Sequence, residues 1–264
     1  MAAISPLMSI MIKAAEKASR ALIRDFGEVE QLQISRKGPG DFVTAADKRS
    51  EKILFEELSA ARPDFSFLME ESGEVKGKDP ENIWIIDPLD GTHNFMHGLP
   101  HWCISIALET KGKVLAGLVY DPAKDEMFRA EKGLGAFMNN KRLRVSGRSD
   151  FDSAMVATGN ILHTKKDNGL FIKELDAITA QVPFLRRQGA AALDLAYVAA
   201  GRLDGFWERH LKPWDVAAGQ LIVKEAGGLV SSIENEENVL YSKSLVAGNQ
   251  GLYPDLRRIL KAAA

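Results

Sequence analysis

The sequence predicts an α/β protein built of layers of helix and sheet, and three observations lead there. Apolar residues recur at three- and four-residue steps over residues 1–26, the spacing of a helix with one buried face. Strand patterns at 102–108, 114–120 and 126–130, parted by Lys111-Gly112-Lys113 and Pro122, read as an antiparallel meander. From residue 154 onward, strand and helix patterns alternate. A meander needs antiparallel pairing, so a purely parallel doubly wound sheet does not fit.

Along the first helix the apolar positions are Ile4, Met8, Met11, Ile12, Ala15, Ala18, Leu22, Ile23 and Phe26, and the pattern ends near Gly27. Lys13, Glu16, Lys17, Arg20 and Arg24 break it throughout, so it reads as neither a signal peptide nor a span, which needs roughly 18 apolar residues in a row. Gly38-Pro39-Gly40 marks a loop, and a second helix runs from about 44 to 61, before Pro63. Short apolar runs at 65–69 and 83–86 have the character of buried strands. After the meander come a strand at 154–158, helices near 168–181 and 190–200, and a strand at 205–208. A helix at 216–226, strands near Leu229 and Leu245, and a closing helix from Pro254 complete the chain. No repeat or linker interrupts it, and we expect one domain over 1–264 with sub-regions of about 1–150 and 151–264.

Composition narrows the function. The chain has 264 residues, with 34 Lys and Arg against 36 Asp and Glu for a net charge of −2, and 45% hydrophobic residues. That balance supports a full core and gives no general attraction to nucleic acid or to an anionic membrane. The single cysteine, Cys103, can form no internal disulfide, which points to a reducing cytoplasm. It alternates with Ser105 and Ala107 along a strand and reads as a buried, inert thiol.

Familiar motifs fail on inspection. Gly73 to Lys78 has three intervening residues and is followed by Asp79, so it is not a triphosphate-binding loop; neither Gly38-Pro39-Gly40 nor Gly133-Leu134-Gly135 has the third glycine of a dinucleotide loop. No Gly-x-Ser-x-Gly elbow occurs. His93, His97 and His101 fall at four-residue steps, but Gly98-Leu99-Pro100 breaks any helix between the last two, and they read as loop histidines rather than zinc ligands.

The informative text is Ile83-Trp84-Ile85-Ile86-Asp87-Pro88-Leu89-Asp90-Gly91-Thr92. Alone, it is a strand, a Pro turn and an Asp cap at a helix that could begin at Gly91. Three other segments change the weighting: Phe67-Leu68-Met69-Glu70-Glu71 also ends in acid, Asp41 and Asp47 flank a helix start, and Trp214-Asp215 opens another. Between Ser66 and Phe95 seven acids face two bases, a local charge of −5. Two carboxylates ~4 Å apart repel by about 4 kcal/mol at an effective dielectric near ~20. Several such pairs rival a domain's whole stability of about 5–15 kcal/mol unless protons or cations neutralise them. Oxygen donors without His or Cys select Mg²⁺ or Mn²⁺, and bound cations would turn an acidic site into one that attracts phosphate.

These segments resemble the inositol monophosphatase family. Its first signature, Asp-Pro-Leu/Ile-Asp-Gly-Thr with an upstream aromatic and a following Asn-Phe, stands as Trp84 to Phe95. The second stands as Trp214-Asp215-Val216-Ala217-Ala218-Gly219 and Glu225-Ala226-Gly227-Gly228, and Arg186-Arg187-Gln188-Gly189 with the following Ala-rich stretch looks like the bacterial branch. The resemblance implies an α-β-α-β-α sandwich, Mg²⁺-dependent hydrolysis of a phosphate monoester with two or three ions and no covalent intermediate, inhibition by Li⁺, and a homodimer. It implies that Glu70, Asp87, the Leu89 carbonyl, Asp90 and Asp215 hold metal, and that Thr92, oriented by Asp47, acts with Glu70 on the attacking water. Leu89, Asp90, Gly91 and Thr92 would meet the phosphate, and Arg186, Gly189, Ala190, Ala191, Glu208 and Asp215 the alcohol of a phosphorylated polyol or sugar.

Ala190 stands where relatives often have Ser or Thr, and His93 where Thr is common; 159–163 departs from the family's usual loop. Lys37, ahead of Asp41, reads equally as solvated or functional. Sister activities on histidinol phosphate, 3′-phosphoadenosine 5′-phosphate or fructose 1,6-bisphosphate, and a binding role in transcription, stand as alternatives to inositol phosphate.

Overall fold

A computed structural model describes residues 4–28, 34–38, 41–159, 165–234 and 239–264, with the backbone alone described at 34–38, 41–43 and 165–167. The chain runs α1 (Pro6–Phe26), β1 (Ile34–Gly38), β2 (Asp41–Thr44), α2 (Ala45–Ala61), β3 (Phe65–Met69), β4 (Gly73–Val75), β5 (Asp79–Asp90) and α3 (Thr92–Met96). The meander follows as β6 (Cys103–Thr110), β7 (Lys113–Asp121), β8 (Glu126–Glu131), β9 (Gly135–Met138) and β10 (Lys141–Arg142). Then come β11 (Met155–Thr158), α4 (Lys165–Thr179), β12 (Phe184–Arg186), α5 (Ala191–Ala199), β13 (Gly205–Arg209), α6 (Pro213–Glu225), β14 (Leu229–Ser231), β15 (Ser244–Gly248) and α7 (Tyr253–Ala263).

Among the described residues the larger sheet has the order β10-β9-β8-β7-β6-β5-β3-β4, antiparallel except where β3 lies parallel to β5. The smaller has the order β12-β11-β13-β15-β14, with β11 parallel to β12 and β13. Strand alternation sorts the side chains into layers. Trp84, Ile86, Ile104 and Ile106 face Met8, Met11 and Leu22 of α1 and Leu54 and Leu58 of α2. Ile85, Cys103 and Ala107 face the other way, onto α5 and α6, which meet Phe206, Leu245 and Ala247 of the second sheet on their far side. Val156, Trp207 and Val246 then cover Ile178 of α4 and Leu256, Ile259 and Leu260 of α7. The result is an α-β-α-β-α sandwich, each buried large side chain contributing about 1.5–3 kcal/mol.

The middle helices lie close. A Cβ on Gly117 of β7 would stand 2.9 Å from the Ala218 backbone, and one on Gly219 would stand 2.6 Å from Leu195. The small residues of α6 thus set how deeply it seats. Ile4 and Ile23 differ from the sequence reading: they lie outside the buried stripe of α1 and are 47% and 42% exposed. Short strands β4, β9, β10 and β12 lack a sequence signal, because their partners' open edges rather than their own patterns place them. No helix of the described residues is long and apolar enough to cross a membrane.

Candidate active site

Glu70 follows β3, and its N–H donates to the Ile86 carbonyl at 3.2 Å, extending the parallel ladder that pairs Met69 with Ile86. Two parallel strands ending in acid therefore set Glu70 beside Asp87. On β5 the register shifts between Asp87, opposite Ser105, and Asp90, opposite Cys103, so one extra residue is taken up at Pro88-Leu89. Residues three apart in a regular strand face opposite ways; the bulge returns Asp90 to the side of Asp87. The turn is fixed by the Leu89 N–H donating to Asp87 Oδ1 at 2.9 Å and by the Ser50 hydroxyl donating to the Pro88 carbonyl at 2.8 Å.

Asp90 Oδ2 accepts the Ala192 N–H at the start of α5 at 2.7 Å, with Cys103 Sγ 3.7 Å away. Asp215 lies in the first turn of α6, where the Lys212 N–H donates to its Oδ2 at 2.7 Å. Ser105 ties that end to β6, its hydroxyl donating to the Trp214 carbonyl at 3.2 Å.

The electrostatics follow from this crowding. Burial, then the charges of Glu70, Asp90 and Asp215, hold the Asp87 carboxyl well above the usual carboxylate range. Burial raises Asp90 to about 7 against the Ala192 hydrogen bond, and burial with the Asp90 charge raises Asp215 to about 7. Burial also raises the Cys103 thiol far above its ordinary value, consistent with an inert thiol. The donor set is all oxygen and mutually repelling, which fits hard divalent cations. Among the described residues, however, no three His, Cys, Asp or Glu side chains stand at the spacing of a closed metal centre.

Thr92 opens α3, and its hydroxyl lies 2.9 Å from Asp47 Oδ1 and 3.0 Å from the Leu89 carbonyl. One hydroxyl proton serves one acceptor at a time. Asp47 is at the same time the capping-box acid of α2, its Oδ2 accepting the Thr44 N–H at 2.8 Å and the Thr44 hydroxyl at 2.5 Å. Burial pushes Asp47 up against these hydrogen bonds. Gly91, at φ 91°, is required where it stands: a Cβ would meet the His101 carbonyl at 2.9 Å and Ala190 Cβ at 3.2 Å.

Gly189, Ala190 and Ala191 are thus beside the Asp90-Gly91-Thr92 turn, held by side chains the sequence reading did not single out. Asn94 Nδ2 donates to the carbonyls of His101 and Gln188, both at 2.7 Å, and Gln188 Nε2 donates to the buried Asp194 at 2.8 Å. His101 Nε2 approaches the same Asp194 oxygen at 3.6 Å, away from His93 and His97, whose exposed rings stack at 5.9 Å. Asn94 belongs to the first signature, and that was its one signal. Glu208, at the end of β13, is pressed against Gly159, whose carbonyl accepts Arg187 Nε at 3.0 Å; a Cβ on Gly159 would overlap the Glu208 carboxyl. Arg186 is exposed and donates to its neighbour's carbonyl, that of Leu185, so the structure does not bring it onto the acids. The Lys37 and Asp41 side chains and residues 160–163 lie outside what is described.

The family model described as inositol monophosphatase family matches residues 3–263. An inositol-1-monophosphatase of Mesorhizobium japonicum is 52% identical over 98% of this chain and 96% of its own, and the Escherichia coli K12 Nus factor SuhB is 42% identical over 92% and 91%. Among solved structures, the extragenic suppressor protein suhB of Bartonella henselae superposes with a TM-score of 0.94 at 52% identity, covering 97% of this chain and 99% of that one. The Thermotoga maritima IMPase superposes with a TM-score of 0.89 at 34% identity, covering 98% of each. The chain belongs to the inositol monophosphatase family, and its enzyme class is that of a phosphoric monoester hydrolase.

Proposed function

We propose that this chain hydrolyses myo-inositol monophosphate to myo-inositol and phosphate, using Mg²⁺ held by Glu70, Asp87, the Leu89 carbonyl, Asp90 and Asp215. The observation that carries the reading is the convergence of Asp87, Asp90 and Asp215, each raised by burial and by a neighbouring acid. Two or three divalent cations, with Mn²⁺ able to substitute, would supply water acidification and charge neutralisation of the phosphate. The rest is the work of the chain.

Asp47 accepts the Thr92 hydroxyl hydrogen bond, which turns a Thr92 lone pair toward the attacking water, and Glu70 receives the water's proton. The Gly91 and Thr92 N–H groups meet phosphate oxygens where Gly91 leaves room for a close approach. On the alcohol side Glu208 and Asp215 accept hydroxyl hydrogens, while Gly189, Ala190 and Ala191 form the wall and Arg186 the rim. Ala190 has no hydroxyl to add, and its small side chain makes room for more than one alcohol. Asp87 and Asp90 come from one sub-region and Asp215 from the other, so 1–150 and 151–264 act as one catalytic unit. A cytoplasmic homodimer completes the reading.

A second role, in transcription, is favoured by the 42% identity to the Nus factor SuhB, and it would stand beside catalysis because the acid set is whole. The deciding experiment is phosphate release from myo-inositol 1-phosphate, histidinol phosphate, 3′-phosphoadenosine 5′-phosphate and fructose 1,6-bisphosphate. It is run with Mg²⁺, with Mg²⁺ and Li⁺, and after chelation. Inositol phosphate is expected to turn over fastest, with loss on chelation and on Li⁺ addition. Faster turnover of another ester would overturn the substrate, and full activity after chelation would overturn the metal assignment.

A further inference from the structure

The end of α6 opposite Asp215 borders a second charged region. A cavity of about 410 Å³ opens between the last turns of α6, the β6–β7 turn and the β8–β9 turn. Lys113, Lys132 and Lys224 stand around it, and Leu221, Val239 and Leu240 form an apolar wall.

Glu225 also lines the cavity, so three ammonium groups stand there against one carboxylate. Glu225 accepts the Gly133 and Gly135 N–H groups, each at 2.8 Å, which clamps the turn bearing Lys132 onto α6. Glu109 accepts the Tyr241 hydroxyl at 2.6 Å. Lys111, on the same turn as Lys113, pairs with Glu81 at 3.2 Å. Among the described residues, Lys113, Lys132 and Lys224 make no ion pair, and Lys224 donates only to the neutral amide of Gln220 at 3.2 Å. Lys224 is exposed as a residue, and partial desolvation against the cavity wall, with the Lys132 charge, pushes its ammonium down. The dipole of α6 accounts for a cation at its C terminus, but Lys113 begins β7 and Lys132 lies in the β8–β9 turn, and neither gains from it.

We propose that this cavity is a second ligand site, taking a small phosphorylated molecule whose phosphate lies among the three ammonium groups and whose carbon skeleton lies on the apolar wall. Lysines recognise phosphate as point charges, and the volume falls in the roughly 300–1,000 Å³ range of small-molecule sites. At ~1.5 Å per residue, Lys224 is roughly 13 Å along α6 from Asp215, so this site stands or falls apart from the hydrolytic reading.

The probe is phenyl phosphate, titrated calorimetrically into protein stripped of divalent cations on a chelating resin, where the acid cluster repels anions. One saturable site is expected, weakened at least about tenfold when Lys132→Gln and Lys224→Gln are combined and unchanged by Lys111→Gln or Asp90→Asn. The ligand should also shield Lys113, Lys132 and Lys224, but not Lys111, from acylation mapped by mass spectrometry. Binding that survives the double substitution, binding lost with Asp90→Asn, equal shielding of Lys111, or no saturation by about 10 mM would each overturn the proposal.

Discussion

The amide of Ala192 donates to Asp90 Oδ2 at 2.7 Å, joining residues 102 positions apart and seating a carboxylate on the first turn of α5. The favourable contact and the unfavourable crowding act on the same carboxyl.

Asp90→Asn keeps an oxygen for the Ala192 N–H and removes the charge. Phosphate release is expected to fall by about 100-fold or more, while thermal stability of the cation-free protein at about pH 8 rises. Activity near that of the parent would remove Asp90 from the metal set; a collapse in melting temperature would mean that its charge holds the fold.

Cation-free protein should lose stability as pH rises. The ordinary carboxylate range lies near 4, and Asp90 and Asp215 sit at about 7, so the folded chain binds more protons than the unfolded one between those values. Stability is then greatest at the acid side of the window and falls as the pH climbs through about 7. Added Mg²⁺ should restore it at about pH 8 and do little at about pH 5, where protons already neutralise the site. Calorimetric scans with and without Mg²⁺ at the two pH values check this, and a Mg²⁺ effect independent of pH would contradict it.

Thr92→Ala removes the hydroxyl that faces both Asp47 and the Leu89 carbonyl. A loss of about 100-fold in kcat is expected, with Thr92→Ser recovering most of it. Equal defects in both variants would show that the methyl group's packing matters rather than the proton path.

Gly159→Ala should displace the Glu208 carboxyl, because the new methyl group claims its space. Glu208 meets the alcohol in the proposed reading, so KM for inositol phosphate should rise about tenfold with kcat little changed. A fall in kcat at constant KM would place the defect in the chemistry instead.

Much of this was legible from residues alone where pattern and chemistry coincide. Trp84, Ile85 and Ile86 announce a buried strand by composition, and Asp87 and Asp90 announce their chemistry by charge. The bulge that puts both acids on one side is a matter of register with Cys103 and Ser105, which no single strand encodes. Asn94 and Gln188 stand inside the motifs, but the bond between them was silent, since a contact between residues 94 apart leaves no periodic trace. Arg186 has the right type for a substrate contact, and its exposed position is that of a rim residue rather than a member of the acid cluster.

With Gly117 under Ala218 and Leu195 against Gly219, α6 has no slack to roll or lift. The alanines and glycine after Trp214-Asp215 therefore act as a gauge: they are the thickness of the spacer that sets how far Asp215 reaches toward Asp90. Thickening that spacer by one methyl group would draw Asp215 away from Asp90 and detune the site without removing any acid from the sequence.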